Sequence, residues 1–158
     1  HEVSITTGRE TITIYLIAFI DDSTRYVVHE ELTPRKQAIK AADALKRALL
    51  KIYRPQTLHS DNGMVFCGED FQKVLEENSI NFTTTTPHTP QENGKIERLW
   101  QNFDMSLLSL DKLDQFVQEY NYYWNHASLH ERFGRKTTPE EARSYLESWF
   151  GKSDLSFI

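Results

Sequence analysis

The stretch Thr11–Ile20 constrains the fold more than any other part of the chain. It reads Thr-Ile-Thr-Ile-Tyr-Leu-Ile-Ala-Phe-Ile, alternating in its first half and continuously apolar in its second. β-Branched and aromatic residues dominate it, which suits a pleated strand. A strand that alternates keeps one face in water, whereas one that loses its polar positions is covered on both faces. The rest of the chain must therefore supply layers for both sides of a sheet.

The neighbouring segments can supply them. Asp21-Asp22-Ser23-Thr24 is a turn, with the aspartates expected to bond backbone amides rather than hold a ligand. Arg25–Leu32 reads as the returning strand of a hairpin, and Glu2–Thr6 as a short earlier strand. Apolar residues at helical steps predict a helix from Arg35 to Lys51, ended by Pro55. Further elements are a strand at Thr57–Ser60, a helix over Asp70–Asn78, a strand at Ile80–Thr84, a helix from Gln91 to about Leu110 and another over Leu113–His126. Thr138 followed by Pro139 and two glutamates is a helix N-cap with proline in the first turn, and that last helix is expected to end near Gly151. Strands interleaved with helices make a mixed α/β sheet with helices on its faces the natural packing. No repeat or low-complexity linker breaks the pattern, so one domain over residues 1–158 is the expectation.

The net charge is −5. A domain that held nucleic acid only by neutralising phosphates would ordinarily be basic, so a nucleic-acid role here needs local basic patches, a metal ion or other domains. Cys67 is the single cysteine, which excludes an intrachain disulfide and a cysteine-based zinc site. The longest apolar run, Ile14–Ile20, is far too short to cross a bilayer.

Two segments carry chemistry. Asp61, in His59-Ser60-Asp61-Asn62-Gly63, lies where a strand ends and a turn begins, the position that active groups occupy in α/β sheets. Glu97, in Pro90-Gln91-Glu92-Asn93-Gly94-Lys95-Ile96-Glu97-Arg98, lies too deep in its helix to serve as a first-turn residue. Taken singly, Asp61 reads equally as an Asp-Asn-Gly turn and Glu97 as a solvated helix residue. His59 and His88 flank the two segments and read as hydrogen-bonding surface residues. Tyr120, Tyr122, Tyr123 and Trp124 read as core packing together with a partner surface.

Thirty-five residues separate Asp61 from Glu97. Ser60–Gly63 and Pro90–Arg98 at that spacing resemble the retroviral-type integrase core and the insertion-sequence transposases that share it. The family uses two aspartates and a glutamate, typically with the same number of residues between the second Asp and the Glu. Tyr15–Val28, Tyr120–His126 and Thr137–Ala142 are similar to other parts of that family, so the resemblance covers nearly the whole chain. It implies a ribonuclease-H-like fold, a five-stranded mixed sheet flanked by helices. It assigns Asp61 and Glu97 as catalytic, metal-holding carboxylates.

Hard oxygen ligands suit Mg²⁺ or Mn²⁺. Two such ions on the order of 4 Å apart can activate a hydroxyl and stabilise the leaving oxygen in phosphoryl transfer. Asn62, Gln91, Asn93, Lys95 and Arg98 are the candidates for holding DNA, Lys95 foremost. The implied partners are double-stranded DNA, both mobile-element ends and target, and further copies of the chain in a homo-oligomer. The implied setting is the cytoplasm of a bacterial or archaeal cell, at the nucleoid, with no membrane association. Two other readings stay open: a non-catalytic DNA-binding or assembly relic of a transposase, and a ribonuclease-H-like nuclease without strand transfer.

One part of the family pattern is missing. Residues 1–20 contain no aspartate for the first strand. Three explanations are open: the residue lies upstream of His1, Glu2 replaces it, or catalysis has been lost.

Overall fold

The computed structural model describes residues 1–7, 10–51, 54–86, 94–101 and 110–150. Strands β1 (Glu2–Thr7), β2 (Glu10–Ile20) and β3 (Val27–Thr33) form an antiparallel sheet in that order. Helix α1 (Ala38–Leu49) follows, then β4 (Thr57–Ser60), a 3-10 turn at Met64–Phe66, α2 (Glu69–Glu77) and β5 (Asn81–Thr84). β4 and β5 pair in parallel, Thr57 opposite Asn81 and Ser60 opposite Thr84. Helices α3 (Gly94–Trp100), α4 (Leu113–His126) and α5 (Pro139–Phe150) follow among the described residues, with a small antiparallel hairpin of β6 (His130–Arg132) and β7 (Arg135–Thr137) between the last two.

β2 is covered on both faces, as its composition predicts. Ile14, Leu16, Ala18 and Ile20 pack into one core with Val3, Ile5, Leu99, Val117, Tyr120 and Trp124. Ile17 and Phe19 pack into the other, with Ala41, Leu45, Phe71, Val74, Leu75 and Phe82. Side chains on a strand alternate between faces, so this one element joins the α3/α4 layer to the α1/α2 layer.

The antiparallel and parallel strands form separate ladders rather than a continuous set of five. The β1–β2 ladder ends where His1 and Leu16 exchange backbone hydrogen bonds of 2.8 and 2.7 Å. Beyond it, Ile17–Ile20 pair only with β3 among the described residues. That open edge borders the gap between β2 and β4.

Tertiary polar contacts fix the layers. Arg47 of α1 donates two hydrogen bonds of 2.6 Å to the Glu31 carboxylate on β3. The Asn125 side chain of α4 bonds both the N–H and the C=O of Val27. Thr138 and Glu141 form a reciprocal capping box: Glu141 N–H donates to Thr138 Oγ1 at 3.2 Å, and Thr138 N–H donates to Glu141 Oε2 at 2.9 Å. The Arg143 guanidinium on α5 lies over the Tyr26 ring at 4.6 Å.

The sequence reading found neither β6 nor β7. The helix expected from Gln91 to about Leu110 is described over Gly94–Trp100, with Gln101 in a turn; residues 91–93 and 102–109 lie outside the described residues. Gly151 lies outside them too. No helix among the described residues is long and apolar enough to cross a membrane.

Candidate functional site

A cleft of about 770 Å³ opens along the free edge of β2. Leu16–Ile20 line one side, Thr57–Asp61 another, and Lys95, Ile96 and Trp100 of α3 reach in from a third. His1 sits at its edge, its ring stacked on Trp100 with centroids 5.2 Å apart. Its lining mixes apolar side chains with charged ones, among them Asp21, Asp22, Lys36, Asp61 and Lys95.

Asp61 is exposed at the C-terminal end of β4. Its Oδ1 accepts the Gly63 N–H at 2.9 Å, which fixes the carboxylate in an Asx turn. The turn leaves little room: a Cβ on Gly63 would lie 2.8 Å from Asp61 Oδ1. Among the described residues Oδ2 has no hydrogen-bond partner, so half of the carboxylate is available to a cation.

Asn62 braces the strand ends. Its Nδ2 donates to Thr85 O at 3.0 Å, while Thr85 N–H donates to Ser60 O at 2.9 Å. His59 Nδ1 lies 3.0 Å from Thr83 Oγ1 on the neighbouring strand. Both residues stiffen the β4–β5 edge from which Asp61 projects.

Helix α3 carries the second segment. Leu99 is buried in the core beside α4, and Ile96 and Trp100 face the cleft. Glu97 and Arg98 are exposed. Lys95 reaches both the cleft and Asp22, with which it forms an ion pair. The structure thus brings Asp61 and Lys95 to one cleft. Glu97 rides on the helix that lines the cleft but is not among the lining residues. Gln91, Asn93 and His88 lie outside the described residues.

The other acidic residues are accounted for. Asp21 accepts from Ser23 N–H, Ser23 Oγ and Thr24 Oγ1 at 3.0, 2.9 and 2.7 Å, so it is a turn residue, as the sequence suggests. Asp22 pairs with Arg25 at 3.1 Å as well as with Lys95. Burial pushes its carboxyl up, but Lys95, then Arg25 and Arg132, outweigh this and hold it below the usual carboxylate value. Glu2 is exposed and does not line the cleft. Among the described residues, no group of three or more His, Cys, Asp or Glu side chains is arranged to hold a metal ion.

Sequence reasoning missed the basic side chains near Lys95. Arg25, at the end of the β2–β3 turn, and Arg132, on β6, converge on the start of α3 with His130. The two lie more than a hundred positions apart in the sequence, on either side of α3, and only the fold assembles them.

Comparison with known proteins sets this geometry in a family. Residues 2–90 match the family model described as "Integrase core domain". The chain is 27% identical over 149 residues to "Putative integrase ORF3" of Spiroplasma virus SpV1-C74, covering 78% of this chain and 40% of that protein. It is 27% identical over 97 residues to "Transposase InsF for insertion sequence IS3A" of Escherichia coli (strain K12), covering 60% of this chain and 34% of the relative. The chain thus spans less than half the length of these curated relatives. Among solved structures, the HTLV-2 integrase catalytic core domain in complex with magnesium, in a trimeric form, superposes with a TM-score of 0.60 at 17% identity, covering 90% of this chain and 91% of that one. The ribonuclease-H-like α/β fold is shared.

Proposed function

The chain belongs to the integrase core domain family, and on that premise we propose that it is the catalytic core of a metal-dependent polynucleotidyl transferase that cuts mobile-element DNA ends and joins them to target DNA. The observation that carries this reading is the meeting of Asp61, at the end of β4, with helix α3 at one cleft, α3 being the helix that bears Glu97.

Asp61 suits a hard divalent cation. It is exposed, held in place by its Asx turn, and has one oxygen disengaged among the described residues. Glu97 supplies a second hard oxygen donor from α3. Mg²⁺ or Mn²⁺, as a pair of ions, would supply Lewis acidity and charge neutralisation at the scissile phosphate. The residues of this chain do the positioning: the β4–β5 brace keeps Asp61 still, and Lys95 offers a cation to phosphate at the rim. In cleavage, water attacks a phosphodiester and leaves a free 3′-hydroxyl on the element end. In joining, that 3′-oxygen attacks a target phosphodiester, forms a new P–O bond and releases the target's own 3′-oxygen. Joining needs two ends in one assembly, so the working form is a homo-oligomer on double-stranded DNA.

Glu2 is exposed and does not line the cleft, so it does not stand in for the family's first carboxylate in this reading.

Two other readings remain, a nuclease without strand transfer and a non-catalytic relic that binds DNA. Product analysis separates the readings. A transferase gives joined strands with metal, a nuclease gives cut strands only, and a relic binds DNA and returns it intact.

A further inference from the structure

Beside the cleft, on the far side of Lys95, lies a second concavity of about 260 Å³. Its walls are Arg25, Lys95, Arg98 and Arg132, with Gly94, Trp124, His130 and one acidic residue, Glu131, between them. These cations come from the β2–β3 turn, from α3 and from β6. Four cations against one acidic residue around so small a space is a departure for a chain of net charge −5.

The arginines are placed by contacts that leave their guanidinium groups underused. Trp124 Nε1–H donates to Arg25 O at 2.8 Å and fixes the backbone of the turn, where Arg25 has φ 68°. Trp124 also packs against the His130 ring, with centroids 4.6 Å apart, and sets the start of β6. Arg132 Nη1 reaches only the backbone oxygen of Glu131, at 3.2 Å. Arg132 Nε is buried and has no hydrogen-bond partner among the described residues. A buried donor without a partner is costly, so an acceptor that fits there is welcome. Among the described residues, Asp22 is the carboxylate that pairs with these cations, through Arg25 and Lys95, and its side chain is 73% exposed.

The electrostatics agree with the geometry. Burial lowers the His130 imidazole, and Arg132, Arg98 and Arg25 lower it further. Burial likewise lowers Arg25, with Arg132 next. The cations repel one another across the pocket, and an anion would relieve them all at once.

We propose that Arg25, Lys95, Arg98 and Arg132 form an anion site that clamps a backbone phosphate of DNA, separate from the carboxylate cleft and joined to it through Lys95. Planar guanidinium groups match phosphate oxygens in a bidentate way, and a phosphate held here fixes the register of the strand passing into the cleft. The proposal rests on the reading of the chain as a DNA-joining core, and adds where the backbone is held without metal.

The test is fluorescence anisotropy of the full-length protein with a short labelled DNA duplex, in chelator, across a salt titration. Arg132→Gln and the exposed Arg98→Gln are each expected to weaken binding roughly tenfold, the loss of one charge-assisted hydrogen bond. Each should make the slope of log affinity against log salt shallower by about 0.9. Arg132→Lys should keep the wild-type slope, because it keeps the charge. Folded variants with wild-type affinity and slope overturn the proposal. If Arg132→Gln fails to fold, Arg98→Gln gives the same reading. With metal absent, failure here leaves the joining reaction untouched. A wild type that shows this slope but never joins DNA would sink the reading of the cleft and spare the pocket.

Discussion

Asn125 clamps Val27 at both ends of its peptide hydrogen-bonding capacity: Val27 N–H donates to Asn125 Oδ1 at 2.8 Å, and Asn125 Nδ2 donates to Val27 O at 2.9 Å. Both residues are buried, at 4% and 1% exposure. One side chain thus takes the hydrogen-bonding place of a strand on the edge of β3 that faces away from β2, and it joins α4 to the β2–β3 turn that carries Asp22 and Arg25. Asn125→Ala leaves a buried donor and a buried acceptor unpaired and is expected to cost about 2–4 kcal/mol. Chemical denaturation measures it. A loss under about 0.5 kcal/mol, the range of ordinary surface changes, would show that the clamp is dispensable.

Glu30 gives stability an unusual pH dependence. It lies on β3 beneath α4, and both carboxylate oxygens are buried without a partner among the described residues. Burial pushes its pKa up to about 8. Between its ordinary carboxyl value and that value, the folded state holds a proton that the unfolded state has released. Stability from this group therefore falls as pH rises through that window, and is greatest in acid. Glu30→Gln removes the dependence and should stabilise the protein at pH 8 by on the order of 2–3 kcal/mol, with little effect at pH 5. Denaturation at the two pH values checks it, and equal effects at both would contradict the burial argument.

Gly63 is held to its size by Asp61. A methyl group there would sit 2.8 Å from Oδ1 and must displace the carboxylate. The backbone φ of −63° is ordinary, so Gly63→Ala should cost little stability while strand joining falls about tenfold or more. Melting temperature and joining yield, measured on one preparation, separate the two effects. Unimpaired joining would mean that the Asx turn does not position Asp61.

The cap of α5 is a smaller, independent check. Thr138→Ala removes the acceptor for Glu141 N–H and is expected to cost about 1 kcal/mol, read by thermal unfolding. No change would mean that the helix start is held by its packing alone.

These features differ in how far the sequence announces them. β2 is visible because its apolar run must be covered twice, and α4 spans Leu113–His126 as its periodicity indicates. Thr138 and Pro139 mark the start of α5 by local chemistry alone, and Asp61 stands at the end of β4, as its Asp-Asn-Gly turn suggests. The β6–β7 hairpin is hidden: each strand has three residues, and its turn places Phe133 at φ 52° before Gly134, without an Asn-Gly or Asp-Gly signal. Asn125 reads as a polar residue near a helix end, since its partner lies ninety-eight positions away. The pocket is hidden for the same reason, because Arg25, Arg98 and Arg132 become neighbours only once the helices dock. Lys95, expected at DNA from its place near Glu97, proves to be the residue shared by pocket and cleft.

The central claim is that Asp61 and Glu97 act together on DNA through divalent metal, and one measurement addresses it directly. The full-length protein is assayed for strand transfer with its element-end DNA and Mn²⁺, beside Asp61→Asn and Glu97→Gln variants whose melting temperatures match the parent. The account predicts metal-dependent joined product that both substitutions abolish, while metal-free DNA binding persists in each. Joining that survives either substitution, or DNA that is bound but never cut or joined, would contradict it.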